Sequence, residues 1–454
     1  MRLARSLTTL GVVFIMFFNV SGGAFTTETL VAETGPGLAL LILVVVPIVW
    51  SVPEALIVGE LASMMPEEGG YYRWVYRAFG PFWAFQNGWY TWLYSLVDMA
   101  IYPVLFTQYL AWFLPDLSPG ASWAIKLGVI WGATAINLRG AFRVGRFSTW
   151  AGLFILATFL AIAVAALAHG VPAGTVHAPW TPFVKPGETP LAGIGVGLSI
   201  ALWNYFGWDN ASTVAGEVVD GTRTYPRALA IAVPMVAAGY LVPLLATLAT
   251  SDWTTWREGG WPEIARATGG ALGPALAAAV AVAGMVSALA LYNALLLAFS
   301  RIPLAMATDG YLPRVLARTD ARGTPRAAVL FAAVLYSAFT LLPFAQLVVA
   351  DALLYALAMF LEFGALVALR RREPTLRGAF RIPVGTAGIV VLTIVPALVF
   401  LAATGFSLAG GEHGAMAVVG AIVAAALGPL AYRVAARGAP MRRAALLAAE
   451  GSGG

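Results

Sequence analysis

Residues 17–25, FFNVSGGAF, interrupt an apolar run near the start of the chain. The preceding segment LTTLGVVFIMFFNV has the composition of a membrane-spanning helix, yet Ser21, Gly22 and Gly23 follow it directly. A glycine pair lets a helix unwind at low cost, and at membrane depth the freed N–H and C=O groups are tolerated only beside a cavity or a ligand. The stretch therefore predicts an unwound segment that lines a cavity, although a packing notch against a neighbouring helix explains an isolated SGG equally well.

The composition predicts an integral membrane protein. Of the 454 residues, 60% are hydrophobic and 11% are charged, with a mean hydropathy of +0.81, and one soluble core cannot enclose so much apolar surface. A helix needs about 20 apolar residues to cross the bilayer, and twelve segments meet this need. They begin near Leu7, Leu38, Phe82, Ala124, Trp150, Ala192, Leu229, Leu272, Ala327, Leu347, Val384 and Ala415. The first lacks a cleavage site, so no cleavable signal is expected.

The positive charges predict the orientation of these spans. With the N-terminus inside, only Lys126, Lys185, Arg257 and Arg266 fall outside, which leaves 23 of the 27 Lys and Arg residues on the cytoplasmic face. Cytoplasmic loops carry such an excess. We therefore expect a protein of the inner membrane with both termini in the cytoplasm. The basic residues are explained by this topology, so we expect no nucleic-acid partner.

A second interruption lies within residues 201–219, ALWNYFGWDNASTVAGEVV. Gly207 breaks the sixth apolar segment, and the next half-helix begins near Ser212. Breaks in the first and sixth spans predict two inverted five-span repeats, with a substrate site near the midplane between them. The expected fold is all-α, with twelve spans and discontinuous helices 1 and 6. Its parts are a first repeat at 1–170, a second at 171–372, and spans 11 and 12 with a cytoplasmic tail at 373–454.

Longer motifs resemble the amino acid, polyamine and organocation (APC) transporter superfamily, from the first span to at least the tenth. The resemblance is carried by SGGAF (21–25), PEALIVGELASMMPEEGGYYRWV (53–75), LWNYFGWDNASTVAGEV (202–218) with TYPRAL (224–229), and RIPLAMATDGYLPRVLARTDARGTP (301–325). PEALIVGEL, GPFWAFQNGW, DMAIYPVLF and WDNASTVAGEV are most similar to the plant-type polyamine uptake branch, itself close to L-type amino acid transporters. The resemblance implies a LeuT-like fold and a secondary active transporter.

The same resemblance implies roles for residues at both breaks. The N–H groups of Ser21, Gly22 and Gly23 would hold a substrate carboxylate, as they do in amino acid transporters. Trp203 matches the aromatic residue that closes over substrate in related exchangers, whereas packing is the usual role of an isolated membrane tryptophan. Aromatic faces can also contact a cation. Further binding candidates beside the breaks are Asn19, Asn204, Tyr205, Gly207 and Trp208.

Intramembrane carboxyl groups are the sharpest chemical signal, because a charge at bilayer depth is costly unless it is paired or solvated. Asp209 at the second break, Asp98 in span three and Glu54 in span two are candidates for binding the substrate amine or a coupling proton. Glu60 and Glu217 lie near the cytoplasmic ends, where we expect them to pair with arginines. Asp351 and Glu362 in span ten receive no assigned role.

A cavity with several acids and no membrane-embedded Lys or Arg favours polyamines or related organic cations as substrate. An L-type-like amino acid permease or exchanger is the alternative, and a transporter-derived nutrient sensor is another. Span five, WAGLFILATFLAIAVAAL, lacks the lysine of some proton-coupled relatives. Coupling would then use Asp209, Glu54 or Asp98, unless the protein is an obligate exchanger.

Other functional classes fit poorly. The chain has no cysteine, its three histidines have no partner spacing, and it has no glycine-rich phosphate motif. We therefore expect no enzymatic activity, no metal and no cofactor. A channel would need a continuous pore lining, whereas paired helix breaks favour alternating access. The expected partners are a small-molecule substrate, the bilayer and a coupling proton, and the sequence leaves the oligomeric state open.

Overall fold

The computed structural model describes residues 5–321, 323–340, 348–409 and 412–451. In these ranges every regular element is helical, apart from one isolated β-bridge between Leu7 and Val218. The expected start of the tenth span at Leu347 lies outside the described residues. The helical content agrees with the all-α expectation.

Eighteen α-helices follow one another in the described chain. They are α1 (Thr9–Val20), α2 (Thr27–Thr34), α3 (Pro36–Val46), α4 (Val52–Met64), α5 (Gly70–Phe79), α6 (Pro81–Leu110), α7 (Pro119–Asn137), α8 (Ala141–Ala173), α9 (Pro190–Tyr205), α10 (Gly221–Leu248), α11 (Trp261–Thr268), α12 (Gly273–Phe299), α13 (Arg301–Thr308), α14 (Arg326–Phe339), α15 (Val348–Arg372), α16 (Thr386–Ala409), α17 (Glu412–Ala426) and α18 (Gly428–Gly451). A π-helical turn (Pro47–Ser51) joins α3 to α4, and a 3-10 helix (Asn210–Glu217) follows α9.

Eight helical stretches in the described ranges are long and apolar enough to cross a membrane. They are Pro36–Met64, Ala141–Ala173, Pro190–Glu217, Gly221–Leu248, Gly270–Thr308, Asp351–Arg372, Thr386–Phe406 and Val418–Arg442. Thr9–Val20 and Arg326–Phe339 are shorter apolar helices. Large apolar side chains such as Trp150 and Leu401 face outward, so the chain is a multi-pass membrane protein.

Two interruptions position the site. The first break, residues 21–26, separates α1 from α2, and Gly22 and Gly23 adopt φ angles of 69° and 117°. The second break, residues 206–209, separates α9 from the 3-10 helix, and Gly207 adopts a φ of 101°. These are backbone conformations that glycine adopts without a Cβ clash. Both helices are thus interrupted where the glycines predict it.

The helices that surround the breaks form one packed core. α6 packs against α12 and α15, and α1 packs against α8, α10 and α12. The π-helical turn lies just before Pro53, which has no N–H to donate to a regular α-helical ladder. This packing places α4, α6, α15 and both breaks around a common interior.

Candidate functional site

Each break contacts the helix that precedes the other break. A Cβ added to Gly207 would lie 2.3 Å from the carbonyl oxygen of Asn19. The Thr26 hydroxyl, at the end of the first break, donates to Asn204 Oδ1 at 2.8 Å. The last residues of α1 and of α9 therefore meet at one point of the interior.

The N–H groups of the first break already have acceptors within the protein. Ser21 N and Gly22 N donate to Phe17 O at 2.8 and 3.2 Å, and Gly23 N donates to Ser21 Oγ at 3.1 Å. The Gly22 carbonyl accepts from Ser287 Oγ at 2.6 Å. In this conformation a substrate carboxylate would have to displace these internal hydrogen bonds.

The glycines of the first break also serve close packing. A Cβ on Gly22 would lie 2.5 Å from Ser287 Oγ, and one on Gly23 would lie 2.7 Å from a methyl group of Ile155. Neither glycine lines the cavity described next. Gly22 and Gly23 thus form the packing notch, while Ser21 beside them faces the cavity.

A polar cavity lies between the breaks. Its lining is Asn19, Val20, Ser21, Tyr94, Asp98, Tyr102, Trp203, Phe206, Gly207, Asn210, Leu291, Asp351 and Tyr355. Five of the residues predicted from sequence are in this set: Asn19, Ser21, Asp98, Trp203 and Gly207. Seven others lie outside the lining: Gly22, Gly23, Glu54, Asn204, Tyr205, Trp208 and Asp209.

Asp98 and Asp351 are the acidic residues of this lining, which contains no Lys, Arg or His. The Tyr102 hydroxyl donates to Asp98 Oδ1 at 2.6 Å. Asp351 Oδ1 is buried and has no hydrogen-bond partner within the described part of the chain. The cavity therefore carries acidic groups from two different helices, α6 and α15.

Aromatic side chains make up much of the remaining wall. Phe206 and Tyr355 stack with ring centroids 4.7 Å apart at 23°, and Tyr94 meets Tyr355 edge-on. Trp203 is half-buried and also borders an apolar cavity behind it. Ring faces beside carboxyl groups form a suitable environment for an organic cation.

The Tyr355 hydroxyl connects this cavity to a second group of acids. It lies 2.7 Å from Glu54 Oε1 and 2.9 Å from Asp209 Oδ1, and it accepts from Gly207 N at 2.9 Å. A phenol has one proton to donate, so it can donate to only one of the two carboxyl groups. The other carboxyl group must carry a proton to hydrogen-bond to the same oxygen.

A third buried acid, Glu362, lies seven residues after Tyr355 on the same face of α15. Asn87 Nδ2 lies 3.5 Å from its Oε1. Glu54, Asp209 and Glu362 are all at most 1% exposed. We call these three residues the acid cluster. None of them lines the polar cavity, whereas Tyr355 does.

The other predicted residues make structural contacts. The Tyr205 hydroxyl donates to Leu43 O at 2.9 Å, and Asn204 Nδ2 donates to Ile200 O. Trp208 is fully buried, and its carbonyl accepts from the Tyr225 hydroxyl. The Tyr205 bond joins α9 to α3, the Tyr225 bond joins the second break to α10, and the Asn204 bond lies within α9.

Buried ion pairs close one end of the bundle. Arg301 Nη2 donates to Glu217 at 2.7 Å, and Arg370 binds Glu60 through both carboxyl oxygens. The predicted pairing of Glu60 and Glu217 with arginines is confirmed. Glu68, in the loop between α4 and α5, lies 3.4 Å from Arg301 Nε. Burial is the main cause that raises the pKa of Glu68 well above 4.5, and the negative charge of Glu217 raises it further. The positive charge of Arg301 opposes both effects. We call the group formed by Arg301, Glu217 and Glu68 the arginine end.

Among the described residues, no group of three or more His, Asp or Glu side chains is arranged to hold a metal ion. The acid cluster instead has aromatic and amide neighbours. Its carboxyl groups form hydrogen bonds with Tyr355 and Asn87.

Comparison with known proteins agrees with this architecture. Residues 7–426 match the family model for amino acid permeases. Polyamine transporter PUT1 of Oryza sativa subsp. japonica is 37% identical over 401 residues, which cover 87% of this chain and 72% of that protein. Polyamine transporter RMV1 of Arabidopsis thaliana is 36% identical over 400 residues, covering 86% and 79%.

A bacterial protein with a different cargo in its name is also similar. The aromatic amino acid transport protein AroP of Escherichia coli (strain K12) is 25% identical over 361 residues, covering 76% of each chain. All three relatives are transporters and not enzymes, as the sequence predicts for this chain. With the family match spanning nearly the whole chain, the protein belongs to the amino acid permease family of the APC superfamily.

Proposed function

We propose that the protein is a secondary active transporter of organic amines, with polyamines such as putrescine and spermidine as its substrates. The observation that carries this proposal is the lining of the polar cavity, which includes Asp98 and several aromatic rings. The N–H groups of Ser21, Gly22 and Gly23 already donate hydrogen bonds within the protein. A carboxylate finds few free donors there. An ammonium group finds an acid and ring faces.

The names of PUT1 and RMV1 support amines as cargo. The likeness to AroP keeps an amino acid permease or exchanger as the second candidate. An amino acid would use both the acid and the N–H donors of the first break. Its binding would require the hydrogen bonds of Ser21 and Gly23 to open.

The transport cycle is alternating access through twelve spans. The two breaks lie in the first and sixth of these, which supports inverted repeats at 1–170 and 171–372, with residues 373–454 forming spans 11 and 12 and the tail. The positive-inside distribution supports an inner-membrane protein with both termini in the cytoplasm. In this arrangement Trp203 closes over the substrate from the outside, and the arginine end is the cytoplasmic closure.

Coupling to a proton uses Glu54 and Asp209. Their shared contact with the Tyr355 hydroxyl requires one bound proton, and Tyr355 also borders the cavity. Substrate that moves the Tyr355 ring therefore disturbs the site where that proton is held. An obligate exchanger would keep this proton throughout its cycle.

The proposal is tested with purified protein and proteoliposomes. Putrescine and spermidine should raise the melting temperature more than leucine or alanine at equal concentration. Liposomes preloaded with putrescine should accumulate labelled putrescine by counterflow, since a carrier exchanges its substrate without an energy source. Stabilisation by leucine and not by polyamines would establish the amino acid permease instead. Binding without counterflow would indicate a sensor.

A further inference from the structure

Asp351 lies near the start of α15 and lines the polar cavity. Its side chain is nine-tenths or more buried, since the residue is 4% exposed. Its Oδ1 atom has no hydrogen-bond partner within the described residues. A buried carboxyl oxygen without a partner is costly, so its position in a cavity wall points to a ligand that supplies the missing donor.

Asp98 faces the same cavity from another helix. α6 and α15 pack against each other, so the two carboxyl groups approach the cavity from different elements. Asp98 already accepts a hydrogen bond from Tyr102. Tyr102 also lines the cavity, beside Asp98.

The cavity lining contains no cationic side chain that could pair with these two acids. One ammonium group would pair with one of the two carboxyl groups. A ligand with two ammonium groups would pair with both. Glu54 and Asp209 do not line the cavity in this conformation, and both contact the Tyr355 hydroxyl instead.

We propose that Asp351 is the second anionic determinant of the substrate site and that, together with Asp98, it selects diammonium ligands over monoammonium ligands. This inference rests on the proposed function and assigns its substrate class to two named carboxyl groups. Asp98 binds one ammonium group beside Tyr102. Asp351 binds the other through its free Oδ1.

The experiment compares putrescine with 1-butylamine, which has the same four carbons and one amine. Binding of each is measured on purified protein for the wild type, Asp351→Asn, Asp98→Asn and Asp351→Glu. Asp116→Asn, an exposed aspartate outside the cavity, is the matched control. Asp351→Glu keeps the charge and serves as the conservative rescue.

Asp351→Asn should weaken putrescine binding by about tenfold or more, the usual effect of losing one charge-assisted hydrogen bond, and change butylamine binding by less than about threefold. Asp351→Glu should retain most of the preference for putrescine, and Asp116→Asn should match the wild type.

Equal losses for both amines, or unchanged putrescine binding, would overturn the inference and leave amine transport intact. Equal binding of putrescine and 1-butylamine by the wild type would also overturn the inference and leave amine transport intact. This comparison does not depend on whether Asp351→Asn folds. Wild-type protein that binds neither amine would overturn the proposed function as well.

Discussion

Tyr355 is the residue through which the cavity and the acid cluster are joined. Its ring stacks on Phe206 in the cavity wall, while its hydroxyl contacts Glu54, Asp209 and the N–H of Gly207. One side chain thus contacts ligand space, a helix break and two buried carboxyl groups. Any displacement of the ring changes all three hydroxyl contacts together.

Removing this hydroxyl tests its role. Tyr355→Phe keeps the ring and leaves Glu54, Asp209 and Gly207 N–H without their common partner. We expect a loss of stability of about 1–3 kcal/mol, measured by thermal or denaturant unfolding, and at least a severalfold fall in putrescine uptake.

Tyr292→Phe is the matched control, since Tyr292 is also fully buried and its hydroxyl has no hydrogen-bond partner in the described structure. That variant should be as stable and as active as the wild type. If Tyr355→Phe is as stable and as active as Tyr292→Phe, the hydroxyl of Tyr355 contributes neither to stability nor to uptake.

Sequence reasoning finds the acids but not the faces on which they lie. Glu54 and Asp209 are 301 and 146 residues from Tyr355, and no local pattern places a tyrosine of α15 in contact with both. Asp351 is visible as an intramembrane acid, yet helical periodicity alone does not tell which of the α15 acids faces ligand and which, like Glu362, faces Asn87. Contact across such separations requires the packed structure.

At the scale of elements, the arginine end joins the loop after α4, the end of the 3-10 helix and the start of α13. Arg301 is fully buried and bonded to Glu217, with Glu68 beside both. The stem of Glu68 is 21% exposed, but both of its carboxyl oxygens are buried without hydrogen bonds. Two acids thus share one arginine.

This arrangement predicts a pH dependence of stability. The folded-state pKa of Glu68 is raised well above its ordinary 4.5 by burial and by Glu217, so the folded protein binds more protons than the unfolded chain above about pH 4.5. Its contribution to stability is present below that pH and is lost as pH rises towards the folded pKa.

Glu68→Gln should therefore reduce the fall in melting temperature between pH 5 and pH 8, and should raise the melting temperature at pH 8. Glu67→Gln, an exposed neighbour, is the control and should retain the wild-type profile. A Glu68→Gln profile parallel to that of the wild type would show that the Glu68 carboxyl is not protonated in the folded state.

The helix breaks are the elements that the sequence predicts best. Glycine beside serine in an apolar run is a strong local signal, and both interruptions lie where Gly22, Gly23 and Gly207 indicate. Which function each glycine serves is less visible. The close approach of Ser287 and Ile155 to the first break comes from α12 and α8, far along the chain.

At the scale of the whole molecule, the proposed topology can be tested because the chain has no cysteine. A single introduced cysteine is then the only thiol. Asp116→Cys, in the loop after α6, should react with an impermeant maleimide in intact cells. Arg143→Cys, an exposed position at the start of α8, should react only after permeabilisation. The reverse labelling pattern would invert the proposed orientation.

The contact of Gly207 with the end of α1 also limits which residues position 207 can hold. Because any Cβ at position 207 would collide with the Asn19 carbonyl, mutation there cannot proceed by small steps of increasing side-chain size. Alanine is excluded as firmly as leucine. A larger residue fits there only if the backbone of the opposite segment moves first. Because the contact is with a backbone carbonyl, this limit holds whichever side chain occupies position 19.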